Sequence, residues 1–172
     1  MKLPLLALCA AALALGGCGT HARTAQDVRL ERDATWLVLP LVNRTSTPQA
    51  GLRAQAITEA VLARHGAARV ESYRDDSGDG VLFEASSPES RQAMRDWVAA
   101  RQGRYVVSGV VHEWRYKTGV DGEPAVGVML EIRDPAGQLL YTGTAARAGW
   151  ARQSLSETGQ RVIDKLVAPV LD

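Results

Sequence analysis

Hydrophobic and polar positions change period several times along the chain, and each change marks an element. Thr35 to Val42, TWLVLPLV, is almost unbroken in apolar character at strand length, which predicts a strand buried on both faces. After the polar turn Asn43 to Pro48, the spacing becomes helical through Leu52, Ala56, Ala60 and Val61 up to His65, with Gly66 as a left-handed cap. Ala68 to Tyr73 is a short strand. Ser87 as N-cap, Pro88 at N1 and Glu89 in the first turn then predict a second helix, with Ala93, Met94, Trp97 and Val98 on one face and Gly103 beyond its end. Three strand-like runs follow, Tyr105 to Tyr116, Ala125 to Arg133 and Gln138 to Arg147, the last two joined by the type I turn Asp134-Pro135-Ala136-Gly137. Ser154 and Glu157 form a capping box for a third helix, striped by Leu155, Val162, Ile163 and Leu166 and expected to stop at Pro169. The order β-α-β-α-β-β-β-α is that of an α/β single-domain sandwich, one mixed sheet with amphipathic helices packed on it.

The first 33 residues follow another logic. Lys2 precedes the apolar run Leu3 to Leu15, which is long enough for a signal peptide but too short to cross a bilayer. Leu15-Gly16-Gly17-Cys18 resembles the bacterial lipoprotein box, which implies cleavage before Cys18 and a diacylglycerol plus a fatty acyl group on that residue. Ordinary secretion with a free Cys18 is the competing reading, and the small residues abutting the apolar run favour lipidation. The other cysteine, Cys9, lies within the leader. Residues 1–17 are thus expected to be a signal peptide, 18–33 a lipidated cysteine with a flexible polar tether, and 34–172 one globular domain. Gly19 stands where an aspartate would resemble an inner-membrane retention signal, so the sorting analogy favours the periplasmic face of the outer membrane.

Charge excludes more than it selects. Without Lys2, the 20 basic residues fall to 19 and equal the 19 acidic ones, so a general affinity for nucleic acid is not supported. The distribution is uneven: Glu71, Asp75, Asp76, Asp79, Glu84 and Glu89 are opposed only by Arg74. That block is either a solvated loop or an electronegative face for a cationic ligand. Its stretch Asp75 to Gly80 partly mimics a calcium loop, but the twelfth position is Ser86 where a bidentate glutamate is needed.

Catalytic chemistry is not evident. His21, His65 and His112 share no ligand spacing, and there is no phosphate loop, dinucleotide fingerprint or G-x-S-x-G elbow, so neither an enzyme nor a metal site is expected. The aromatic residues carry more information. Trp36 and Trp97 lie within elements and read as core. Trp150, in a loop with Gly149 and flanked by Arg147 and Arg152, suits either a membrane interface or a fold back onto the core. Trp114 and Tyr116, near the end of a long strand, are either core or, with Arg115, a subunit contact.

Gly109-Val110-Val111-His112-Glu113-Trp114-Arg115-Tyr116-Lys117, Asp121-Gly122-Glu123-Pro124-Ala125-Val126-Gly127, and Gly149-Trp150 before Ser154-Leu155 resemble the PelC family, lipoproteins of the Pel exopolysaccharide export system. The likeness runs from Trp36 to Leu166. It implies a fold similar to the TolB amino-terminal domain and the curli-secretion lipoproteins. It further implies a homo-oligomeric ring under the outer membrane, whose acidic lumen guides a cationic aminosugar polymer to a PelB-like export barrel. Carried over residue by residue, it gives Cys18 as the lipid site and Trp150 as the membrane contact, with no cofactor beyond the lipid. The guiding carboxylates are assigned from charge clustering alone, as Asp75, Asp76, Asp79, Asp121 and Glu123. A monomeric periplasmic lipoprotein that binds and activates a cell-envelope enzyme is the alternative use of such a fold. A glycan hydrolase would need a carboxylate pair that the sequence does not name.

Overall fold

The computed structural model describes residues 21–24, 28–75, 85–117, 122–150 and 152–171. Their elements are β1 (His21–Thr24), β2 (Thr35–Val38), β3 (Val42–Asn43), α1 (Ala50–Arg64), β4 (Arg69–Ser72), α2 (Pro88–Ala99), β5 (Tyr105–Tyr116), β6 (Pro124–Arg133), β7 (Leu139–Ala148) and α3 (Leu155–Leu171). One mixed sheet holds the strands in the order β1-β7-β6-β5-β2-β4, and β3 lies beside β5 where β2 has stopped. The strands β4, β2 and β5 run parallel, whereas β5, β6, β7 and β1 are antiparallel neighbours. This is the expected α/β sandwich, with two changes at its start.

First, the apolar run expected as one strand is two. Leu39 N still donates to Val107 O at 2.9 Å, but Pro40 has no N–H to continue the ladder, which resumes when Arg44 N donates to Val111 O at 2.9 Å. Second, the expected tether is partly built into the fold. Strand β1 pairs with the outer edge of β7, from His21 opposite Ala146 to Thr24 opposite Gly143. Leu30 packs on the core and its N–H donates to Val170 O at 2.8 Å, while Arg32 Nε donates to Leu171 O at 2.6 Å. Backbone pairing along an edge needs no apolar pattern, which is why the polar composition concealed it.

Alternation along the strands sorts the side chains into two layers. Trp36 and Val38, Val107 and Val111, Val126 to Ile132 at every second position, and Tyr141 and Ala145 form the main core with Val61 and Leu62 of α1 and Val162, Ile163 and Leu166 of α3. Tyr141 donates its hydroxyl to Leu166 O at 2.8 Å, and burial pushes this phenol up to about 12. The opposite layer is thin: Tyr73, Ala85 and Met94, with Leu39, Val42 and Trp97 packed against them. Trp97, expected in the core, is half-buried here, edge-on to Tyr73 at 5.7 Å and covered by Arg101 at 4.0 Å. Met94 alone is fully buried in α2, so the second helix only partly finds the cover its stripe calls for.

The helix ends follow local chemistry. Ser87 accepts from Ser90 N at 3.0 Å and Pro88 opens α2, while Gly66 closes α1 at φ 90°. At α3 only half of the capping box forms. Glu157 N donates to Ser154 Oγ at 3.0 Å, but the Glu157 carboxylate accepts from Gln153 Nε2 at 3.0 Å and from Arg161 Nη2 at 3.0 Å. Pro169 does not end α3 as expected. The helix reaches Leu171 because Val170 and Leu171 are buried and the last carbonyls accept from Leu30 and Arg32.

Candidate functional site at the Trp150 end of the sheet

The ends of β5, β6 and β7 meet where the family resemblance was densest. Lys117 N donates to Glu123 O at 2.7 Å, closing the β5–β6 hairpin, and Gly149 N donates to Pro124 O at 2.7 Å, tying the end of β7 to it. Gly149 is required at that crossing. A Cβ there would lie 2.7 Å from Gln153 Oε1, 2.8 Å from Pro124 Cγ and 2.9 Å from Thr158 Oγ1. Gln153 then fixes the next residue from both sides, its Oε1 accepting from Trp150 N at 3.0 Å and its N–H donating to Trp150 O at 2.9 Å.

Trp150 is therefore an ordered backbone carrying a 63% exposed indole. The reading in which it folds onto the core is set aside. Tyr116, 51% exposed, stands at the same end, and its hydroxyl faces Leu155 N at 3.4 Å. Arg152 is exposed, whereas Arg147 is half-buried with its Nε enclosed, so of the two arginines proposed to flank Trp150 only Arg152 offers a fully open guanidinium. Among the described residues no helix is long and apolar enough to cross a membrane.

Trp114, read as core or subunit contact, is core. It is 1% exposed, and a Cβ on Gly159 of α3 would come within 2.6 Å of its Cη2. As a side chain offered to a neighbouring subunit it is thus corrected. Arg115 and Tyr116 remain on the surface, with Arg115 Nε 3.1 Å from Glu113 Oε1.

The acidic candidates are only partly in view. Asp75 is exposed just beyond the edge strand β4, and Glu123 is half-buried in the β5–β6 hairpin, so β2 and β5 separate them in the sheet. Asp76, Asp79, Asp121 and Cys18 lie outside the described residues, as does most of the calcium-like stretch. Among the described residues no group of three or more histidine, cysteine or carboxylate side chains is placed to hold a metal ion.

A cluster that the sequence did not reveal joins α1 to α3. His65 Nε2 lies 2.7 Å from Asp164 Oδ1, and Arg64 Nη2 reaches the same oxygen. Burial pushes the Asp164 carboxyl up, but the hydrogen bonds from His65 and Arg64 and the charge of Arg64 outweigh it and leave it below the ordinary value. With the folded pKa depressed, the stabilisation is present above the unfolded value of about 3.9 and is lost as pH falls through the folded value. Asp164→Asn is therefore expected to cost roughly 0.5 to 1 kcal/mol at pH 7, in keeping with a 41% exposed side chain, and the gap should close below pH of about 4. Denaturant titrations of both proteins across that range check it, and a gap independent of pH would remove the ion pair as its source.

No protein-family model matches the chain, and no curated protein does. The mixed sheet with its helices is an architecture seen in other solved structures. Lipoprotein GNA1162 from Neisseria meningitidis is 18% identical over 78% of this chain and 96% of its own, with a TM-score of 0.55, a likeness of fold alone. A PelC dodecamer from Paraburkholderia phytofirmans stands much nearer, at 33% identity over 89% of this chain and 98% of that one, with a TM-score of 0.75. A second PelC dodecamer structure from the same organism, a point variant, is 33% identical over 88% and 99% of the two chains, with a TM-score of 0.73. The chain belongs to the PelC family.

Proposed function

We propose that this chain is an outer-membrane lipoprotein of a Pel-type exopolysaccharide export apparatus, lipidated at Cys18 and facing the periplasm. It assembles as a homo-oligomeric ring and guides a cationic polysaccharide towards an export barrel, without catalysing a reaction. The observation that carries this reading is the near full-length likeness to dodecameric PelC, joined to an exposed indole on a fixed loop at one end of the sheet. Lipid and Trp150 hold the ring against the inner leaflet, with Arg152 beside the phosphates. Asp75, Asp76, Asp79, Asp121 and Glu123 present carboxylates to the polymer. Repeated around a ring, a modest acidic patch focuses its field on one lumen. Each exposed carboxylate attracts an ammonium group by only about 1 kcal/mol in water at 4 Å, so a polycation is drawn along without being trapped.

Reversal of Asp75, Asp76 and Asp79 to lysine together tests the guide. Export in a complemented deletion strain is expected to fall at least about fivefold, while light scattering shows a ring of unchanged mass. Normal export would remove these residues from the path. A wild-type protein that stays monomeric, in solution and on a membrane mimetic, would instead favour the monomeric activator of a cell-envelope enzyme.

A further inference from the structure

Helix α2 and the sheet border an open cleft of about 700 Å³, lined along the helix from Arg91 to Ala99. Its floor is apolar, made by Leu39 and Val106 from the sheet side and Met94 and Val98 from the helix. Its rim is cationic. Arg133 and Arg101 also line it, but each has a carboxylate, Glu131 at 2.9 Å and Glu71 at 3.2 Å. Arg91 and Arg95 have none among the described residues: Arg95 meets only the Gln92 amide oxygen, and Arg91 is exposed. These two sit one helical turn apart on the cleft side of α2, a like-charge spacing that destabilises a helix unless an anion lies between them. The single acid on the rim, Asp134, has its carboxylate turned to Gln138 N at 2.8 Å.

We propose that this cleft docks a short acidic peptide segment of a periplasmic partner protein, its apolar side chains on the Met94–Val98–Val106 floor and its carboxylates on Arg91 and Arg95. A volume of this size suits a few side chains, and apolar anchors with charge-matched flanks are how helical grooves recognise peptides. A polycation is repelled by the same rim. Lipid is too far away: the Asp134–Gly137 turn beside the cleft is separated from Trp150 by the ten residues of β7, about 30 Å of strand. That exclusion rests on the reading of Trp150 as the membrane end.

The test uses the full lipidated chain in nanodiscs and a short labelled peptide of repeated Glu-Leu-Leu-Glu, followed by fluorescence anisotropy. Binding is expected to weaken at least about tenfold in the Arg91→Glu, Arg95→Glu double variant and several-fold in Val98→Gln, and polyglutamate of equal charge is expected to bind about tenfold more weakly than the peptide. Phosphatidylglycerol vesicles should not compete. Equal binding of polyglutamate, competition by those vesicles through the same arginines, or no binding of the peptide would each overturn the proposal. Light scattering separates it from the ring: a double variant that loses peptide but keeps its assembly supports docking. One that falls to monomers makes the cleft a subunit contact, overturning the docking site while leaving the ring intact as a reading.

Discussion

Gly51→Ala is expected to destabilise the domain by at least about 3 kcal/mol, the upper end of what overpacking costs, and to lower Tm by about 10 °C for a chain of this size. Gly51 is the second residue of α1, and a Cβ built on it would run into the carbonyl oxygen of Leu41. Neither partner is free to retreat. Leu41 is 1% exposed, and the segment around it is tied to β5 on both sides, through Leu39 N and Arg44 N. Helix α1 is pinned further along by Val61 and Leu62 in the main core. The obstacle is backbone against backbone, with no side chain that can rotate away. Gly137→Ala is the control. At φ 88° it carries conformational strain, but nothing lies within 4 Å of its Cβ, so it should cost only about 1 to 2 kcal/mol. Thermal melts of the two variants check the difference. A Gly51→Ala protein melting within 2 °C or so of wild type would mean that α1 slides over the β2–β3 break at little cost.

That break shows where the sequence stops being legible. The pattern of Thr35 to Val42 predicted burial correctly, and Pro40 stood in plain view, but whether a proline in an apolar run ends a strand or only interrupts it depends on the neighbour. Here β5 is long enough to accept the chain again beyond the gap. The antiparallel half was legible because its elements are local: β5, β6 and β7 follow one another, alternate, and are joined by turns with their own chemistry. Non-local features were hidden. Strand β1 pairs with β7 more than a hundred residues away through backbone alone, and Asp164 meets His65 only because α3 lies against α1. Pro169 misled because a helix stop was argued from its ring, while the buried Val170 and Leu171 decided the outcome.

The site was legible to a different degree for each residue. Gly149-Trp150 announced a tight approach followed by an aromatic, and the structure supplies the reason for the glycine, the crowding by Pro124, Gln153 and Thr158. Trp114 and Tyr116 looked alike in sequence. Both follow the bulge after Val111 and share one face of β5, but Trp114 lies beneath Gly159 of α3, whereas Tyr116, at the end of the strand, stays exposed. Arg91 and Arg95 carried no signal, since arginines on an exposed helix are ordinary. They become informative only once the cleft beside α2 shows that they border an apolar floor with no carboxylate paired to either among the described residues.

Trp150→Ala is expected to leave the fold untouched and to lower polysaccharide export about tenfold or more. The fold is spared because the indole is 63% exposed and its loop is held through the backbone, which the substitution keeps, so Tm should move by no more than a degree or two. An indole side chain presents roughly 150 to 250 Å², which at this exposure leaves about 100 to 150 Å² to enter the membrane interface, or about 2.5 to 4 kcal/mol per subunit as an upper figure. With acyl chains on Cys18 holding the protein on the leaflet, as proposed above, this energy would not be needed for attachment. It sets orientation, because lipid joined through a single residue fixes distance and leaves tilt free. In the proposed assembly, a ring whose subunits each insert an indole at the same depth would lie flat beneath the export barrel, and one without them would rock. Quenching by brominated lipids reads this directly: Trp36 and Trp114 are buried and Trp97 is half-buried at the other face of the sheet, so most of the quenching of the wild-type protein should vanish in the variant. Trp150→Phe should restore part of both signals. Full export from a stable Trp150→Ala protein, or undiminished quenching, would end the membrane assignment of this residue.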